Sequence, residues 1–310
     1  MDVYGVSDLY GTPLVWAACC DGCDVFATSS VAANVMIIFR VSANEIVDTR
    51  VLHEQTFALV LLRDAEDLRV AGINDHNIFS FSLKDNVKRV HCGTLRGMQS
   101  ITYGATSRDD CMAIWGASGL WQTDGIASVP RNVCPGCEVL AATFTAWDGT
   151  LIHVHRTSPE DATACLLVDG QYVASVSRLT VQIVARRTPQ GMAVYALAPE
   201  ALARVDVQRV AAEQLCAATG QPWAAEQVVV ECDACGGVRC MALDAATDQL
   251  WVASDGLFVF DLRADTQPSR VANVNFFGRI PINIAVGQEH VAVVLMDGTV
   301  VIAAKHAIAL

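Results

Sequence analysis

The chain has 310 residues, 53% of them hydrophobic and 17% charged, and 21 Lys and Arg against 33 Asp and Glu leave a net charge of −12. That acidity disfavours nucleic acid and anionic membranes as partners, while the apolar content excludes a tail-like disordered chain and supplies a sizeable core. The longest uncharged run, residues 25–39, holds 15 residues including Thr, Ser and Asn, too short and too polar for a membrane span.

In chain order, Met1-Asp2-Val3-Tyr4 carries neither the basic nor the apolar stretch of a secretory leader, so the expected address is the cytoplasm, with the nucleus as a second compartment. Short apolar runs then recur about every ten residues, broken by Asp-Gly, Asn-Asp and Pro. They include 35–41, 57–62, 151–155, 228–230, 250–253, 257–262, 282–286, 291–296 and 299–304. One stretch breaks the rhythm. Residues 199–218, from Pro199 through Leu202 to Ala217 with Gly220 beyond, predict a short helical insertion. Many evenly spaced strands mean a sandwich, a barrel or a propeller, and the length favours an all-β propeller formed as a single domain over 1–310.

A repeated grammar runs along the chain. It reads as a strand, a Gly turn, an Ala-centred strand, an Asp-Gly-type hairpin, and a strand opening Leu-Trp or Val-Val. Its clearest copies are Gly287 to Val294 with Asp297-Gly298-Thr299, Cys240 to Leu243 with Gln249-Leu250-Trp251, Asp110 to Ile114 with Gly119-Leu120-Trp121, and Phe57 to Leu59 with Val70-Ala71-Gly72. Small residues (Ala58, Ala113, Ala242) suit strands packed tightly between neighbours. Asp-Gly supplies the positive φ angles of a two-residue hairpin turn. Seven such units fit the length, and six also fit the uneven spacing.

This grammar resembles the RCC1 family, with His290 and Asp297-Gly298 at the family spacing and Asp110 to Gly119 keeping the frame. The fuller Trp-Gly signature is nowhere intact, and Ala71-Gly72-Ile73-Asn74 is its nearest trace; a WD40 propeller is the second reading. The resemblance implies an RCC1-like seven-bladed β-propeller whose N-terminal strand, residues 3–6, closes the C-terminal blade beside 300–304. It also implies a protein partner: a small GTPase receiving nucleotide exchange, or the diphthamide and Elongator tRNA-modification machinery.

The chemistry-bearing residues are few. Of twelve Cys, three Cys-x-x-Cys pairs (20/23, 134/137 and 232/235) exceed chance spacing, and Cys134-Pro135-Gly136-Cys137 is the most loop-like. A zinc site needs two more ligands, so Cys134 and Cys137 are the candidate metal pair, while the expectation for the chain is no metal and no cofactor. His153 and His155 alternate along one strand and point the same way, which could serve a metal given a third ligand. His290 fits a hydrogen-bonded structural residue. No phosphate-binding Gly loop, zinc-protease helix or nucleophile elbow occurs. The expected function is therefore a non-enzymatic adaptor or regulatory subunit of a complex, and a metal-assisted hydrolase is the alternative class. Trp147, Trp223, Phe276 and Phe277 lie where the grammar demands no aromatic, and they are the expected partner-binding residues on one rim. Trp121 and Trp251 occupy repeat positions and are expected in the packing.

Overall fold

The computed structural model describes residues 2–5, 14–18, 22–30, 34–42, 45–53, 56–64, 67–74, 77–85, 88–93, 102–124, 128–199, 201–209, 223–230, 239–254, 256–263, 269–276 and 278–308. They form seven four-stranded antiparallel sheets. Sheet I holds β2 (Leu14–Ala18), β3 (Asp24–Ser30), β4 (Val35–Ser42) and β5 (Glu45–Leu52). Sheet II holds β6 (Ala58–Asp64), β7 (Asp67–Ile73), β8 (Asn77–Ser82) and β9 (Lys88–Gly93). Sheet III holds β10 (Thr102–Arg108), β11 (Cys111–Gly116), β12 (Gly119–Thr123) and β13 (Arg131–Asn132). Sheet IV holds β14 (Glu138–Phe144), β15 (Leu151–Arg156), β16 (Thr163–Val168) and β17 (Gln171–Ser177). Sheet V holds β18 (Gln182–Thr188), β19 (Gly191–Ala198), β20 (Ala201–Arg209) and β21 (Trp223–Val230). Sheet VI holds β22 (Cys240–Asp244), β23 (Gln249–Ala253), β24 (Gly256–Asp261) and β25 (Ser269–Asn275). Sheet VII joins β26 (Pro281–Val286), β27 (His290–Leu295) and β28 (Thr299–Ala304) to β1 (Asp2–Gly5). No helix among the described residues is long and apolar enough to cross a membrane.

The first strands of successive sheets touch in cyclic order, β2 to β6, β10, β14, β18, β22 and β26, and β26 in turn touches β2. All seven line one cavity of about 590 Å³. Apolar clusters fill the seven junctions between neighbouring sheets. Strand side chains alternate in direction, so one strand feeds two clusters. Val291, Val293 and Leu295 of β27 enter the VI/VII junction, whereas Ala292 and Val294 enter VII/I. The core is thus a circle of thin layers rather than one central mass.

β1 lies outermost in sheet VII, with Val3 opposite Val301 and Tyr4 opposite Val300. The strand following the Asp297-Gly298 hairpin is β28 itself, and Val6 lies outside the described residues. The Asp-Gly expectation is realised at Asp169-Gly170, where Val168 pairs with Gln171 and the two turn residues have φ of 49° and 75°.

Two expectations need correction. The helix expected over 199–218 is absent from the described part of that stretch: Pro199 sits in a turn and Ala201–Arg209 is a strand. Its ladder to β19 runs from Ala201 opposite Ala198 to Gln208 opposite Gly191, and β21 flanks it on the other side. With Leu202, Val205 and Val207 buried, pairing on both edges overrides the helix propensity of Ala and Leu. Residues 210–218 lie outside the described residues. The repeat copies, moreover, do not occupy equivalent strands. Those at 110–121 and 287–299 are second and third strands, whereas those at 57–72 and 240–251 are first and second. Every hairpin of an antiparallel meander carries the same alternation and turn chemistry, so the grammar cannot tell one from the next.

Candidate functional site

Among the described residues, the III/IV junction is the poorest in aliphatic side chains. Its buried apolar residues are Ala113, Leu120, Cys134, Val139 and Ala142, whereas the VI/VII junction buries twelve, including Trp251, Ile284, Val293 and Leu295. On β15, Ile152 and Val154 point into IV/V, so Leu151, His153 and His155 point into III/IV. The corresponding faces of other second strands carry Val70, Met112 and Ile114, Met192 and Val194, Leu250 and Val252, or Val291 and Val293. Sheet IV alone among these places imidazoles there.

Facing them is the connection from β13 to β14. Val133 N–H donates to the Leu120 carbonyl at 2.8 Å, and Cys134 N–H donates to Asn132 Oδ1 at 3.1 Å, which pins the start of the loop. Pro135 then precedes Gly136 at φ 77°, the left-handed position of a type II turn. That turn keeps Cys137 in the same loop as Cys134, half-buried against the III/IV cluster. Cys134 Sγ lies 3.5 Å from His155 Nδ1, and the His153 and His155 ring centres are 5.5 Å apart. One donor atom from each of Cys134, His153 and His155 falls within 4.8 Å of the others.

Burial favours the neutral forms of this cluster. Both ring nitrogens of His153, a residue 4% exposed, are buried without a hydrogen-bond partner. Burial, with a smaller contribution from the neighbouring His155, lowers His153 to about 4, and burial lowers His155 as well. Burial first, then Cys137, pushes the Cys134 thiol up to about 12. A thiol so raised is a poor nucleophile. The set matches instead the nitrogen and sulfur ligands of zinc.

A second buried polar group sits across the VII/I junction. The Asp24 carboxylate accepts from Trp16 Nε1 at 2.8 Å, from the backbone N–H of Gln288, Glu289 and His290 at 2.7, 3.0 and 3.0 Å, and meets His290 Nδ1 at 2.9 Å. Burial raises its pKa, but the Gln288 amide, the His290 ring, the Glu289 amide and the Trp16 indole outweigh that and leave it lowered. Gly287 permits the approach, because a Cβ there would lie 2.6 Å from the carboxylate carbon. His290 is thus hydrogen-bonded to Asp24 through its backbone N–H and Nδ1, with Nε2 buried and without a partner.

The expected partner-binding aromatics are dispersed. Trp147, in the turn from β14 to β15, is half-buried against the IV/V cluster. Phe276, between β25 and β26, is 5% exposed and belongs to the VI/VII core. Trp223 opens β21, opposite Arg209, and Phe277 lies outside the described residues. In an antiparallel meander the turns after first and third strands fall at one end, and the connections to the next sheet fall at the other. Trp147 and the start of β21 therefore share one face, and Phe276 is on the opposite face. Trp121 and Trp251 are buried in the packing. Cys20, Cys232 and Cys235 lie outside the described residues. The sequence contained both halves of the III/IV cluster, as Cys134/Cys137 and as His153/His155, but no spacing links a loop in one sheet to a strand in the next.

No family model matches the chain, and no curated protein matches it. Solved structures do. The β-propeller domain of Cps50 (Swd1) from Myceliophteria thermophila is 12% identical with a TM-score of 0.61, covering 97% of this chain and 96% of that one. A chain of the mitotic checkpoint complex is 11% identical with a TM-score of 0.66, covering 97% and 90%. Hydrazine synthase of Kuenenia stuttgartiensis is 13% identical with a TM-score of 0.66, covering 97% of each chain. Such likeness establishes the fold: the chain is a β-propeller.

Proposed function

We propose that the chain is a seven-bladed, non-enzymatic propeller that holds a protein partner, as an adaptor or regulatory subunit in the cytoplasm or nucleus. The observation that carries this is exposed apolar surface at the face where sheets connect. Tyr103, Val133, Leu179 and Val181, at the openings and connections of sheets III to V, are 43%, 39%, 48% and 51% exposed. Large apolar side chains presented by three neighbouring sheets at the same end suit a partner surface better than solvent. A hydrolytic metal centre would need an open ligand position. The III/IV cluster is enclosed between sheets, which favours the non-enzymatic reading. Kinship to RCC1 rests on the His290 and Asp297-Gly298 spacing, since the repeat copies fall on non-equivalent strands.

Affinity purification of the tagged full chain from its native cell, followed by mass spectrometry, should recover a stoichiometric protein. Replacing Leu179 and Val181 together by Asp should weaken capture by about 2 kcal/mol or more, roughly thirtyfold, with the melting temperature unchanged. Undiminished capture by that variant would move the interface elsewhere, with Trp147→Ala testing the opposite face. Recovery of no stoichiometric partner would overturn the reading. Faster nucleotide release from a captured small GTPase would sharpen it to an exchange factor.

A further inference from the structure

We propose that Cys134, Cys137, His153 and His155 bind one zinc ion, which ties sheet III to sheet IV. Four observations converge on it. Tetrahedral bonds of about 2.3 Å to sulfur and 2.05 Å to nitrogen place those ligand atoms roughly 3.6 Å apart. The 3.5 Å between Cys134 Sγ and His155 Nδ1 already has that span. His153 presents two buried nitrogens with no partner, in a position where other sheets place Val, Leu, Ile or Met. Polar groups so enclosed are normally satisfied, and a metal bond satisfies one of them outright. The Pro135-Gly136 turn keeps Cys137 in the same loop and the same III/IV packing as Cys134, and Cys137, which lies outside the 4.8 Å set of the other three, would close onto the ion as the fourth ligand.

Two thiolates and two neutral imidazoles select zinc over magnesium or calcium, which prefer oxygen. Binding releases the two thiol protons to solvent as the sulfur–metal bonds form, with no change of oxidation state. Four protein ligands close the coordination shell, and Cys134 and His153 are 9% and 4% exposed. Both features mark a structural ion. It stands in for the aliphatic packing that this junction lacks. The Asn132 side chain, which accepts from the Cys134 amide, acts as a positioning residue for the loop.

The test uses the full chain, purified from zinc-supplemented medium under a non-thiol reductant and dialysed free of loose metal. Elemental analysis should find one zinc per chain. Replacement by Co(II) should give a thiolate-to-metal charge-transfer band and the strong visible absorption of a tetrahedral site. Cys134→Ser and His153→Leu should each weaken zinc binding by at least about 100-fold, since even residues that only support a ligand can cost that much. His153→Leu should still fold, because Leu250 fills the corresponding face of sheet VI. Added zinc should raise the melting temperature of the stripped wild type and leave that of His153→Leu unmoved. Cys165, opposite His155 in the ladder, is the control: Cys165→Ser should keep its metal. A reduced wild type without stoichiometric zinc, or a His153→Leu variant that retains one equivalent, would overturn the proposal. Loss of metal in Cys165→Ser but not in Cys137→Ser would overturn the choice of fourth ligand.

Discussion

The VII/I and III/IV junctions each bury a histidine beside groups that can ionise, and they treat it in opposite ways. At VII/I, Asp24 gathers five hydrogen bonds from Trp16, Gln288, Glu289 and His290, and His290 is engaged through its backbone N–H and its Nδ1 while its Nε2 is buried without a partner. A buried carboxylate is costly to desolvate, but here each polar contact offsets that cost and fixes the register between sheets. At III/IV, His153 is as deeply buried and neither ring nitrogen has a partner. The contrast teaches that burial of a polar side chain alone does not mark a function. The distinguishing feature is whether the ring keeps any partner within the protein: His290 keeps one through Nδ1, and His153 keeps none.

The largest effect is expected from Asp24→Ala, which strands several buried donors and should cost about 3–5 kcal/mol in denaturant unfolding. A cost below about 1 kcal/mol would erase the contrast. Next is the matched pair of histidine substitutions. His290→Leu removes a bond to a charged acceptor and should cost about 1.5–3 kcal/mol. His153→Leu in metal-free protein should cost nothing or stabilise by about 1 kcal/mol, since it replaces an unsatisfied group by an apolar one. Equal losses from the two would show that the imidazoles play the same part. The smallest effect is a pH dependence. The folded pKa of Asp24 is below its ordinary 3.8. The stability it contributes is therefore fully present above about 3.8 and is lost as the pH falls through the lower folded value. The difference in unfolding free energy between wild type and Asp24→Ala should stay level from neutral pH down to that range and shrink only beyond it.

Much of the architecture is legible because strand alternation and turn chemistry are local. Runs such as 151–155 and 291–296 became β15 and β27, and Asp169-Gly170 turns as its residue types demand. Equivalence between strands was not legible, because a first-second hairpin and a second-third hairpin obey the same rules. The Ala and Leu of β20 are good helix formers, and only the flanking β19 and β21 decide for a strand. At the candidate site, each ligand pair was visible and their meeting was not. Which loop overlies which strand depends on how sheets III and IV stack. The aromatics show the same limit: Phe276 lacks a place in the repeat yet fills the VI/VII core from a connection.

The pairing of β1 with β28 joins residues about 300 positions apart, and this bears on how the chain is made. At roughly 5–20 residues per second, ribosomal synthesis leaves residues 2–5 waiting on the order of 15–60 s before residues 299–302 emerge. Sheets I to VI can pair internally as they appear, because their strands are consecutive. Sheet VII cannot. Through that interval the nascent chain carries β1 without its partner strand, open to chaperones or to another chain in the same state. A last-moment exchange of β1 between two molecules is the misassembly this topology invites.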